Sequence, residues 1–299
     1  MPSSTRDPRL LTVLGVYALV VFSGLKSFAL WDQVRLQLDA DPLALLVQGH
    51  AHALRFLVVQ PAVMAARLGV DPDPLWSLCC VLLVLATALL VARTAALWTR
   101  TDEVRLRAPA LASLAAVSLF MNGRLIPAFA GVALALAVLA ERRAGEIRWT
   151  WAPALVLALL LASVSSGTLA VTVVAAVLAW LAGPVTSRWL GAGIAVVGMG
   201  LVAAGAWKAM EFFHWDFLAA MSHGPGGLVA VHGVTVTAVT VALLLGAVGT
   251  WAWVGATRPI RLVVLAAVGI GLLGWSTLAV GLVPTLVLLL VWAGTEQPE

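Results

Sequence analysis

Apolar runs follow one another along nearly the whole of this chain, separated by short polar breaks, and no other feature constrains its fold as much. The runs occupy about 10 to 30, 75 to 95, 108 to 121, 125 to 140, 149 to 164, 167 to 183, 189 to 207, 228 to 254, 261 to 275 and 277 to 293. Segments of this length and polarity belong in a bilayer, where the backbone must satisfy its own hydrogen bonds and does so as a helix. The expected fold class is all-α: a polytopic integral membrane protein, a single transmembrane domain over 1–299 with about ten transmembrane helices. Composition agrees, with 11% charged residues and 62% hydrophobic ones, where soluble domains carry about 25% charged residues. Soluble enzymes, DNA binders and secreted disulfide scaffolds are excluded.

The first run, Leu10 to Leu30, is long enough to span and ends at Trp31-Asp32 without a small-residue cleavage site, so it is expected to remain as the first transmembrane helix. Arginine then sets the orientation. Arg6 and Arg9 precede this helix, Arg93, Arg100, Arg105 and Arg107 follow the second, Arg142, Arg143 and Arg148 lie between the fourth and fifth, Arg188 follows the sixth, and Arg258 and Arg261 follow the eighth. All fall on one side if 31–74 does not cross, and by the positive-inside rule that side is the cytoplasm, with both termini there. Within this excursion, Arg55, Gln60, Pro61 and Arg67 interrupt the apolar character of His50 to Gly69. That segment is expected to be an amphipathic or re-entrant helix on the outer face. The 13 tryptophans sort to the two interfaces on the same scheme, Trp31, Trp76, Trp207, Trp215 and Trp275 outside and the rest inside. The basic charge thus reads as an orientation signal, with no nucleic-acid partner. Cys79 and Cys80, the only cysteines, diverge on a helix and read as small core or lipid-facing residues.

Nearly all remaining polarity gathers outside. One cluster runs from Lys26 through Asp32, Arg35, Asp39 and Asp41 to His50, His52 and Arg55. A second, in the loop 208–227, holds Lys208, Glu211, His214, Trp215, Asp216 and His223. Two tight turns lie between them in sequence, Asn122-Gly123-Arg124 and Ser163 to Thr168 with Ser165 and Ser166. These four elements are candidates to line one cavity.

Arg124 is the most informative residue, because its turn is flanked by Phe120, Met121, Leu125 and Ile126 and places a charge beside the apolar slab. Two readings apply: a side chain snorkelling to headgroups, or an anion site in which the planar guanidinium holds phosphate or pyrophosphate oxygens. Asn122, Arg55, Arg35, Ser165, Ser166 and Trp215 are candidates to bind the same substrate. His50 and His52 are two apart and His214 and His223 nine apart, so neither pair has the spacing of a helical zinc site, and neither a metal nor a cofactor is expected. Each histidine is either a satisfied interfacial side chain or a general base. His50, His52 and His214 are the catalytic candidates, with Asp216 placed to orient an imidazole. His232 reads as structural, and Gly191, Gly193, Gly198 and Gly200 as small faces for close helix approach. No acids pair inside the spans, which weighs against a proton-coupled transporter.

The order of these features resembles the EpsG and Wzy group of bacterial polysaccharide polymerases over roughly residues 20 to 185. There a polar outer loop leads to an amphipathic segment, a span with a basic end, a span ending in an Asn-Gly-x-Arg-like turn, a return helix with a basic end, and a further outer turn. The matching stretches are 31–49, His50 to Gly69, Leu75 to Arg93, Leu106 to Arg124, Leu125 to Arg143, and Ser163 to Thr168. The chain departs from the pattern in lacking the residue between Gly123 and Arg124, and in carrying Ser165-Ser166-Gly167 where many relatives place a histidine followed by serine. If that histidine is catalytic in the group, the resemblance implies either another one here, His50, His52 or His214, or an altered, even inactive, member. The resemblance implies a bacterial plasma-membrane enzyme joining lipid-linked (polyprenyl diphosphate) sugar units on the outer face, in contact with membrane lipid and with other polysaccharide-assembly proteins. Arg124 is its implied functional position. The alternatives are a non-enzymatic transport or assembly partner for a lipid-linked sugar, and a haem protein, which needs paired histidines in facing helices.

Overall fold

A computed structural model describes residues 7–30, 41–47, 53–145, 150–183, 188–250 and 257–295. Among the described residues the protein is entirely helical. Its helices are α1 (Pro8–Phe22), α2 (Pro42–Val47), α3 (Ala53–Val58), α4 (Gln60–Arg67), α5 (Pro72–Thr99), α6 (Glu103–Phe120), α7 (Ile126–Arg143), α8 (Trp151–Ala162), α9 (Ser166–Ala182), α10 (Arg188–Phe212), α11 (Phe217–His223), α12 (Pro225–Gly249), α13 (Arg258–Gly271), α14 (Trp275–Val280) and α15 (Leu282–Thr295). A helix lies in each of the ten apolar runs. Pro72–Thr99, Pro225–Gly249 and the stretch Trp275–Gly294 are each long and apolar enough to cross a membrane, and Pro8–Phe22, Trp151–Ala162 and Ser166–Ala182 are shorter apolar helices. Local sequence starts them where the backbone needs help: the carboxylates of Asp7, Asp71 and Asp102 accept from the first amides of α1, α5 and α6, and Pro8 and Pro72 fill first positions whose N–H has no helical partner.

Two sequence expectations change. The first helix stops at Phe22, eight residues before Leu30, because Gly24 turns the chain through φ +84°. The remainder of the run is pinned in extended form on α5: Phe28 N donates to Ser77 Oγ at 3.1 Å and Leu30 N to Asp73 at 3.1 Å. The segment read as one amphipathic helix over 50–69 is, within its described part, two short helices, α3 of six residues and α4 of eight, meeting at Val59 just before Pro61. At about 1.5 Å per residue neither spans an apolar slab of about 30 Å. Phe56, Val59, Ala62 and Val63 are buried, with α4 laid on α5 and α3 touching α8.

α7 is the centre of the bundle. From Ile126 to Ala140 it is buried on almost every side, and α5, α8, α9, α14 and α15 pack around it. Small side chains allow this: a Cβ on Gly131 would stand 2.6 Å from the Ala158 carbonyl oxygen of α8 and 3.0 Å from Ala162 N. α10 packs on α9 and leaves Trp189, Val196, Val197, Met199, Trp207 and Phe212 exposed, an apolar face suited to lipid.

Antiparallel packing sorts the polar groups to two ends. At one end Arg93 Nε donates to Glu141 at 2.7 Å, and Arg261 reaches the Ala247 and Thr250 carbonyls. Arg142 there joins three helices, donating from Nε to the Ala179 carbonyl at 2.8 Å while its guanidinium lies 4.5 Å from the Trp151 ring and 5.9 Å from that of Trp180. The opposite end carries the turn between α6 and α7, the Ser165 turn and the start of α14.

Candidate anion site between Arg55 and Arg124

The turn at 121–125 is shaped by its glycine. A Cβ on Gly123 would meet Trp76 Nε1 at 2.8 Å, Phe28 Cβ at 3.0 Å and Cys80 Sγ at 3.3 Å, so only glycine lets the turn sit on α5 at this depth. Its flanks, Met121, Leu125 and Ile126, are buried as anchors, and Leu125 N donates to the Asn122 carbonyl at 3.2 Å. One turn below, Ser118 Oγ and Tyr17 Oη are 2.7 Å apart, tying α6 to α1. Between such anchors Arg124 has little choice of direction and is half-buried, while Asn122 is exposed.

Arg124 Nε is buried without a hydrogen-bond partner among the described residues. Burial lowers the pKa of this guanidinium. It also faces a like charge: Arg55, on α3, is pushed down to about 10 by burial and by the neighbouring Arg124. Two sequence candidates some seventy positions apart are thereby brought together, with Trp76 beneath the turn that holds one of them. An unpartnered Arg124 Nε beside a second arginine is a good arrangement for an anion with several oxygens.

Ser165 and Ser166 lie at the same end of the bundle in a separate cleft of about 150 Å³, lined also by Gly167, Gly274, Ser276 and Thr277 and by neither Arg55 nor Arg124. Ser165 and Ser276 hydroxyls are 3.0 Å apart, and a Cβ on Gly167 would overlap the Thr277 hydroxyl. Thr168 Oγ1 closes the turn by donating to the Ala162 carbonyl at 2.6 Å. Sequence reading missed Ser276 and Thr277 because they sit within the last apolar stretch, more than a hundred positions away. It also placed Trp76 at the outer interface, whereas its indole is buried as the floor of the arginine turn.

The second polar loop has a different occupation. Asp216 Oδ1 accepts from Leu218 N at 2.9 Å and Ala219 N at 3.1 Å, capping α11. Trp215 packs edge-on against Trp207 with centroids 4.6 Å apart. His214 and Trp215 both have positive φ, 51° and 61°, and form with Asp216 a tight corner between α10 and α11. His50, His52 and Arg35 lie outside the described residues. Among the described residues no group of three His, Cys, Asp or Glu side chains converges as metal ligands would. No family model matches the chain, and neither does any curated protein or solved structure.

Proposed function

We propose that the chain is a bacterial plasma-membrane polymerase of lipid-linked sugar units, with ten crossings, both termini in the cytoplasm and the Arg55–Arg124 end facing outward. The observation that carries this reading is Arg124 itself: a half-buried guanidinium with an unpartnered Nε beside a second arginine, at the mouth of an apolar bundle. The substrate that such a site suits has an anionic diphosphate and a long apolar tail, and exposed faces such as that of α10 accommodate the tail. In the reaction an acceptor sugar hydroxyl attacks the anomeric carbon of the donor. The new glycosidic C–O bond forms as the bond to the diphosphate breaks, and the departing polyprenyl diphosphate gathers negative charge that Arg124 and Arg55 neutralise. The hydroxyl proton passes to a general base, for which His50, His52 and His214 are the candidates. Ser165, Ser166 and Ser276 present hydroxyls to a sugar in the separate cleft.

One observation favours a second reading. Asp216 Oδ1 caps α11, a structural role that leaves only Oδ2 for His214 and suits a transport or assembly protein that binds a lipid-linked sugar without reacting it. Complementation of a deletion strain separates the two. Under the polymerase reading, Arg124→Ala abolishes polymer and leaves single lipid-linked units to accumulate, with protein level unchanged, and Arg124→Lys restores little because it lacks the planar fork. Normal polymer length in the alanine variant overturns the reading.

A further inference from the structure

The cleft at Ser165 and Ser276 has two unlike walls. One is formed by the starts of α9 and α14, and the other is apolar, with Val202 and Ala206 of α10 facing Ile270 and Leu273 around the end of α13. Among the described residues no charged side chain lines it. The polar wall holds donors that lack acceptors. Thr277 is 1% exposed, yet its hydroxyl has no hydrogen-bond partner among the described residues. Gly167 makes the room for it, since a Cβ there would overlap Thr277 Oγ1. Ser165 and Ser276 share one hydrogen bond of 3.0 Å, which uses one hydroxyl proton and leaves the other to donate elsewhere. Ser165 is also the N-cap of α9, with extended backbone at φ −148° and ψ 141°, but its side chain caps no amide. The first N–H groups of α9 are therefore without a side-chain acceptor at the end where the helix dipole is positive.

We propose that this cleft takes a single sugar ring bearing a carboxylate. The carboxylate oxygens accept from Thr277, from the Ser165 and Ser276 pair and from the start of α9, and the C–H face of the ring lies on the apolar wall. A volume of about 150 Å³ is enough for one six-membered ring. Unpaired donors at a helix N-terminus suit an anionic group that only accepts, whereas a neutral hydroxyl brings a proton of its own that needs a further acceptor. A buried hydroxyl without a partner costs stability, and a bound carboxylate is what relieves that cost at Thr277. The proposal rests on the polymerase reading for the source of the ring, and it assigns that sugar unit to the acidic class.

Purified protein in neutral detergent is titrated at pH 7.5 with glucuronate and, separately, with glucose, in an Arg124→Ala background that removes the other anion site. Saturation-transfer NMR follows both probes. Glucuronate is expected to bind at least about fivefold more tightly than glucose, about 1 kcal/mol. Thr277→Val keeps the shape and removes the hydroxyl, so it should weaken glucuronate about tenfold, about 1.4 kcal/mol, while melting at or above the temperature of its parent. Ala206→Leu fills the cleft from the apolar wall and should abolish binding without removing any hydrogen-bonding group. No binding of glucuronate, equal binding of glucose, or binding indifferent to both substitutions overturns the proposal. So does a Thr277→Val protein that melts lower or does not fold, because the hydroxyl is then a structural one. Complementation with the Arg124 variants reads the polymerase separately, so either reading can fail alone.

Discussion

Arg124 and Arg55 confront each other as like charges, closely enough that Arg124 helps hold the Arg55 pKa down at about 10. The usual membrane solution places an acid opposite a buried base. Arg124 Nε, without a hydrogen-bond partner among the described residues, is a place where an entering anion meets the charge.

The repulsion predicts a gain in stability when Arg124 is removed. Below about pH 10 both guanidiniums are charged and the repulsion is complete. The folded protein releases the Arg55 proton more readily than the unfolded chain, so stability contributed at this position rises as pH increases through 10 toward the ordinary arginine range. Arg124→Gln is expected to melt higher than wild type at pH 7.5 in anion-free buffer, by on the order of 1 kcal/mol or less, with the difference narrowing above pH 10, where Arg55 loses its charge. Added pyrophosphate should stabilise wild type and not Arg124→Gln. Tryptophan-fluorescence melts in detergent measure both, and a variant less stable than wild type would contradict the electrostatic account.

Gly123→Ala should destabilise by about 1–3 kcal/mol, because its methyl enters space held by Trp76 and Phe28. Trp76→Phe removes the nearest atom, Nε1, so the double variant is expected to recover part of the loss. Gly15→Ala provides a contrast, since nothing lies within 4 Å of its Cβ. Thermal midpoints of the four variants decide it, and equal losses at 123 and 15 would refute the steric reading.

Tyr17→Phe should cost about 1 kcal/mol by deleting the hydroxyl pair with Ser118 between α1 and α6. Ser118 keeps a second partner in the Ala115 carbonyl at 2.8 Å, so its group is not left unsatisfied. A double-mutant cycle with Ser118→Ala should give a coupling close to the single loss. Full additivity would mean that the two hydroxyls do not interact.

The orientation is tested by single cysteines after Cys79 and Cys80 are replaced. A cysteine at 39 is expected to react with an impermeant reagent in intact cells, and one at 100 to react only after permeabilisation. The reverse pattern inverts the protein in the membrane.

Element positions were the legible part of the sequence, because an apolar run has one stable form in lipid. Boundaries inside a run were less so. Ser23-Gly24 is a stop signal that hydropathy hides, since the residues beyond it, Phe28 and Leu30, are as apolar as the helix before them and bury themselves against α5 without being helical. Arg124 was legible from the cost of a charge beside Leu125 and Ile126. Its approach to Arg55 depends on how α3 and the α6–α7 turn fold back together, which no local pattern encodes. The Ser165 to Ser276 contact is hidden for the same reason, and the α11 cap made by Asp216 is an additional role that an acid before an apolar helix takes.

Arg142 belongs to the set of arginines from which orientation is inferred, yet it also grips the carbonyl end of α9 and stacks on Trp151 and Trp180. In this side chain the address on the envelope and the seal that keeps it shut are one object. Moving that charge to reverse the protein would at the same time unfasten α7 from α8 and α9.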